Sequence, residues 1–135
     1  MENLWLENEA TETVEKYAKQ GVGADVALRV YSSRLLGSVR QMVLHGGGNA
    51  SVKTRVPDFL GKINEVICIK GSGWDMATIE PAGLPAVRLG PIQSVAELDA
   101  LSDEDMVNVQ RSNLLDRSSP NPSVETLLHA FLPHK

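Results

Sequence analysis

Residues 41–73, QMVLHGGGNASVKTRVPDFLGKINEVICIKGSG, decide the fold. Inside them Glu65–Lys70 is a β-branched apolar run of strand length that ends on a glycine turn, Gly71-Ser72-Gly73. Ala50–Val56 alternates, with Val52 set against Lys53 and Arg55, and predicts a second strand. Gln41–His45 predicts another, joined to it across the break Gly46-Gly47-Gly48-Asn49. Downstream, Ala86–Leu89 lies between two prolines and predicts one more short strand. The connections are too short for helical crossovers, so the strands pair mostly antiparallel.

Helical patterns lie on both sides of this run. Residues 9–20 predict a polar helix that stops at Gly21. Asp25–Leu36 carries Val26, Val30, Leu35 and Leu36 at roughly helical spacing, with Gly37 as its terminator. After the strands, Val95–Leu101, Asp103–Leu115 behind Ser102, and Ser123–Leu132 predict three more helices. In the last of these Val124, Leu127, Leu128, Phe131 and Leu132 follow i, i+3, i+4, i+7, i+8, which predicts one buried face. Helices, then strands, then helices give an α/β domain with a mostly antiparallel sheet. The 135 residues form one unit without repeats. Because Leu132–Lys135 follows a helix with no closing strand, the unit is expected to be the N-terminal portion of a larger domain.

Composition removes several classes of function. With 42% hydrophobic residues the chain can build a core, and no apolar run reaches the length of a membrane span. The acidic start MENLWLENEATE is expected not to be a secretory or mitochondrial leader. A net charge of −4 and two residues each of Trp, Tyr and Phe disfavour nucleic acid or an anionic membrane as partner. Cys68 is the one cysteine, so a reducing, cytoplasmic setting is expected.

Three segments can carry chemistry. His45–Ser51 is glycine-rich between predicted strands; its amides can form an anion nest, with Asn49 and Ser51 as side-chain donors, or it is a plain hairpin loop. Lys70-Gly71-Ser72-Gly73 leaves a strand end, where the Ser72 and Gly73 amides can hold a phosphate or simply turn the chain. In Asn121–Thr126, Ser123 can cap a helix or meet an anion, and Glu125 either complements the helix dipole or moves protons. His45, His129 and His134 match no zinc-ligand pattern.

The segments ALRVYSSRLLG (27–37), MVLHGGGNASVKT (42–54), KGSGWDMATIEPAGLPAVRL (70–89), LSDEDMVNVQR (101–111) and PNPSVETLLHAFLPHK (120–135) occur together and in order. From about Asp25 to Lys135 the chain resembles the class II aldolase/adducin head family. It is most similar to the aldolase part of bifunctional rhamnulose-1-phosphate aldolase/alcohol dehydrogenases. The resemblance implies a three-layer α/β/α class II aldolase-like domain, of which the N-terminal portion is present. It implies that Gly48, Asn49, Ser72, Gly73 and Ser123 bind the substrate phosphate, and that Glu125 moves a proton at the carbon beside the carbonyl. The implied reaction cleaves rhamnulose 1-phosphate to dihydroxyacetone phosphate and lactaldehyde, with zinc polarising the ketone.

The family's H-x-H ligand pair would follow the segment matching LPHK, and its third histidine lies further on. No metal ligand is therefore expected in this chain, which would be inactive alone. Neither the short-chain dehydrogenase part nor a dinucleotide fingerprint is present. Ala50 and Val124 stand where the family often has hydroxyl residues. By analogy a homo-oligomer is expected. The alternative function is a non-catalytic interaction module of the adducin kind.

Overall fold

A computed structural model describes residues 3–135. In chain order it contains α1 (Glu7–Ala18), α2 (Ala24–Ser38), β1 (Ser51–Pro57), β2 (Ile63–Ile69), β3 (Ala86–Arg88), α3 (Leu89–Ser94), α4 (Asp103–Ser112) and α5 (Thr126–Phe131). Short 3-10 turns occupy Met76–Thr78, Pro81–Gly83 and Val95–Glu97. The three strands form one sheet in the order β1-β2-β3, and both pairs are antiparallel.

The central strand explains the layering. Side chains alternate across a strand, so β2 must offer apolar residues to both faces. Val66 and Cys68 pack with Tyr17, Val26, Ala27 and Val30 of α1 and α2. Ile67 and Ile69 pack on the opposite face with Ile92 of α3 and Ala130 of α5. All four strand residues are essentially inaccessible, and each isoleucine buried this way contributes roughly 1.5–3 kcal/mol. Helices therefore cover both faces of the sheet, in three layers. Burial also pushes the Cys68 thiol up to about 12, which leaves it an inert core residue.

Four expectations from the sequence are corrected. Gln41–His45 is a turn and not a strand. Met42 and Val43 both donate their amides to Val39 O, and Gly47 donates to Leu44 O, so the segment spends its backbone locally. The helix expected at 95–101 starts earlier. Leu89 leaves β3 directly into α3, with Pro91 in the first turn where its missing N–H costs nothing, and only a 3-10 turn follows. The helix expected to reach Leu115 ends at Ser112, because residues 113–115 pair with β3: Arg88 N donates to Asn113 O, and Leu115 N to Ala86 O. Finally, α5 is six residues long, and of its apolar stripe only Leu127 packs on the core. Val124 is 67% exposed and Leu128 63%, with Phe131 and Leu132 near half. Thr126 and Ala130, small residues one turn apart, face inward and let the helix lie close to the sheet.

Helix α2 meets the chain after β2 at two places. A Cβ on Gly37 would run into the backbone of Met76 and Ala77, so the helix sits against that turn only because position 37 has no side chain. Three residues earlier in α2, Arg34 pairs with Glu80 and donates from Nε to Ile79 O at 2.8 Å. Tyr17 of α1 completes the network, its hydroxyl donating to Glu80 at 2.5 Å. The Tyr17 hydrogen bond, followed by the Arg34 charge, holds the Glu80 carboxyl below its ordinary 4.5. Burial, chiefly, raises Tyr17 above 10.

A depressed carboxylate stabilises the fold above its ordinary pKa and loses that contribution as pH falls through the folded value. For Tyr17 the neutral form is favoured in the fold, so its contribution is lost above pH 10. Glu80→Gln is therefore expected to flatten the stability decline below pH 4.5. Urea unfolding at pH 7 and below pH 4.5 checks this, and parallel declines in the two proteins would refute it.

Candidate functional site

The end of the sheet at which Ser51 pairs with Ile69 collects three connecting segments. Gly46–Ala50 enters β1 there and Lys70–Gly73 leaves β2. Lys70 donates its amide to Ala50 O at 2.9 Å and accepts from Ser123 N at 3.2 Å. Beyond it Gly71 bridges Pro122, and Ser72 donates its amide to Asn121 O at 2.9 Å. Backbone pairing thus brings Asn121–Glu125 beside Asn49, more than seventy residues away in the chain.

The side chains then meet. Asn49 Nδ2 donates to Ser123 Oγ at 2.6 Å and also to the Glu125 carboxylate. Asn49 Oδ1 accepts the amide of Ala50 at 2.8 Å, which fixes the side chain's orientation. The Ser123 hydroxyl lies 3.4 Å from Glu125 Oε2 and accepts the Glu125 amide at 3.3 Å. Gly48 precedes them with φ +71°, and a Cβ there would come within 2.6 Å of Met76 Sδ. Both conformation and space require glycine at that position.

Gly48, Asn49, Ser123 and Glu125 therefore form one cluster. Ser72 and Gly73 lie exposed on the loop tied to Asn121. The Ser72 amide is taken by Asn121 O, so that loop offers an anion the Ser72 hydroxyl and the Gly73 amide in place of two adjacent amides. Ser123 sits before a helix too short to supply a useful dipole.

Lys70 and the Ser51–His129 contact escape a reading of the sequence alone. Lys70 is 6% exposed, and its ammonium reaches Gly46 O at 3.4 Å. Among the described residues no carboxylate lies in ion-pair range of it. A buried cation without a counter-charge, beside a glycine-rich loop, is suited to an anionic ligand. The available signal was the lysine that follows the apolar run Val66–Ile69. Ser51 Oγ meets His129 Nδ1 at 2.8 Å.

The histidines do not suit a metal. His45 Nδ1 is 2.6 Å from Asp75 Oδ2, whose carboxyl is held low first by the Ala77 amide and then by the His45 charge. His129 faces Ser51, and His134 lies beyond the end of α5. Among the described residues no three His, Cys, Asp or Glu side chains gather, so this donor set does not fit zinc.

Residues 28–134 match the model of the Class II Aldolase and Adducin N-terminal domain. The chain belongs to that family. This class II aldolase/adducin domain is 44% identical over 106 residues to the "Uncharacterized oxidoreductase YuxG" of Bacillus subtilis (strain 168); the match takes in 78% of this chain and 15% of that protein. It is also similar, at 39% identity and a TM-score of 0.82, to the solved N-terminal Class II Aldolase domain of a conserved protein from Thermoplasma acidophilum. That likeness covers 98% of this chain and 56% of the other. The class II aldolase/adducin domain described here thus spans about half of its solved relative and a small part of the curated one. Among the described residues no helix is long and apolar enough to cross a membrane.

Lys70→Met is expected to separate stability from binding. Removing an unpaired buried cation should raise stability in urea by about 1 kcal/mol or more. The same change should weaken inorganic phosphate by at least about tenfold. Denaturation curves and calorimetric titration check the two arms; unchanged phosphate affinity would remove Lys70 from the site.

Proposed function

We propose that this domain supplies the phosphate-binding and proton-transfer residues of a class II aldolase acting on a ketose 1-phosphate. The substrate of choice is rhamnulose 1-phosphate, with dihydroxyacetone phosphate and lactaldehyde as products. The observation that carries the reading is Asn49, whose side chain joins Ser123 and Glu125 at the sheet end where two glycine-containing loops also arrive.

In this reading the phosphate takes Asn49 Nδ2, the hydroxyls of Ser123 and Ser72, and the Gly73 amide, with the Lys70 ammonium as counter-charge. Gly48 lets the loop turn beside Met76 and so sets Asn49 in place. Anchoring the phosphate positions the α carbon of the ketone at Glu125. After the carbon–carbon bond breaks, the glutamic acid delivers a proton to that carbon. In the synthetic direction the carboxylate removes it. Zinc, where such an enzyme binds it, polarises the ketone; its ligands would come from other parts of a longer protein, since residues 3–135 gather no such set. The 135-residue chain alone is accordingly expected to hold no stoichiometric zinc and to turn over no ketose 1-phosphate.

The decisive experiment uses the longer protein that contains this domain. Exchange of the α proton of dihydroxyacetone phosphate with deuterated solvent should fall by about 10²–10⁴-fold in Glu125→Gln. Phosphate affinity should hold or rise, since the variant removes a carboxylate that the bound phosphate would face. Exchange at the wild-type rate in the variant would sink the assignment. A wild-type protein that neither exchanges the proton nor binds phosphate would instead fit the adducin-like interaction module.

A further inference from the structure

A second concavity, of about 300 Å³, is lined by Arg111, Ser112, Leu114, Arg117, Ser119 and Asn121. It shares none of these side chains with the cluster of Asn49, Ser123 and Glu125. Two guanidiniums line it, and among the described residues neither meets a carboxylate within ion-pair range. Asp116, the acidic residue between them in sequence, is turned onto the amide and hydroxyl of Ser118, at 2.8 and 2.6 Å.

Arg111 alone has a structural role available. It lies in the last turn of α4, where a cation complements the helix dipole. That role does not extend to Arg117, which follows the helix and lines the same hollow. Two arginines, two serines and an asparagine around one hollow make a set rich in hydrogen-bond donors. Such a set matches the several acceptor oxygens of a tetrahedral oxyanion better than the single plane of a carboxylate. The volume lies at the lower end of the range for small-molecule sites, which sets the ligand's size.

We propose that this concavity is a second anion site, which binds the phosphate group of a small phosphomonoester or of free phosphate. It is independent of the substrate reading above. Occupancy would nevertheless reach the neighbouring loop, because Asn121 lines the hollow and its backbone carbonyl accepts the Ser72 amide.

Amide-resolved NMR of the full 135-residue chain tests this, with inorganic phosphate and glycerol 1-phosphate as separate titrants. Residues 111–121 should shift as one saturable group in wild type. In R111Q/R117Q, and to a lesser degree in R117Q alone, that group should require at least about tenfold more titrant. Tighter binding of glycerol 1-phosphate would identify an organic phosphate as the ligand class; equal binding would identify free phosphate. The absence of shifts at residues 111–121 in wild type, or an unchanged titration in both variants, would overturn the proposal. Shifts confined to residues 46–49 and 73 would overturn it while leaving the substrate site standing. Shifts confined to residues 111–121 would do the reverse.

Discussion

The backbone of Lys70 is the constraint on which the site depends. Its amide is given to Ala50 and its carbonyl to Ser123, so one residue at the end of β2 fixes two segments from opposite parts of the chain. Without that double use Asn49 and Ser123 would sit on separate loops, and a 2.6 Å contact between them would carry a heavy cost in loop ordering. With it, the entropy of bringing the segments together is met by sheet formation. The side chains meet as a consequence of register.

The same register accounts for what could be read from the amino-acid sequence. β2 was legible because a central strand between two helical layers must be apolar on both faces, and EVICIK is. β1 was legible by alternation, and α2 by Val26, Val30 and the terminating Gly37. Gln41–His45 misled because its composition suits a strand while its amides bond three and four residues back. The stripe in α5 misled for a different reason. Periodicity says which residues share a face; it does not say which face is inward. Here the small pair Thr126 and Ala130 sets the approach to the sheet, Leu127 packs beside them, and the other large residues are turned outward.

Much of the candidate cluster was also written locally. HGGGN and PSVET each carry the residue types an anion site and a proton-transfer group need, at spacings that a strand end and a helix start can hold. Their convergence was not local, since it rests on hydrogen bonds across more than seventy residues. Lys70 was hidden for a physical reason. A lysine at the end of a strand ordinarily extends into solvent, and only the packed surroundings reveal that this one is enclosed.

The internal bonds of the cluster say how it would work. Asn49 Nδ2 already serves Ser123 and Glu125, so a phosphate does not find free donors; it exchanges one acceptor for another. Such exchanges are close to neutral when every group ends with a partner, and costly when one is left without. A dianionic phosphate drawn toward Asn49 would also stand near the Glu125 carboxylate, and two like charges at that distance repel. The Lys70 ammonium, buried beside Gly46 and without a carboxylate in ion-pair range among the described residues, is the group able to offset that repulsion.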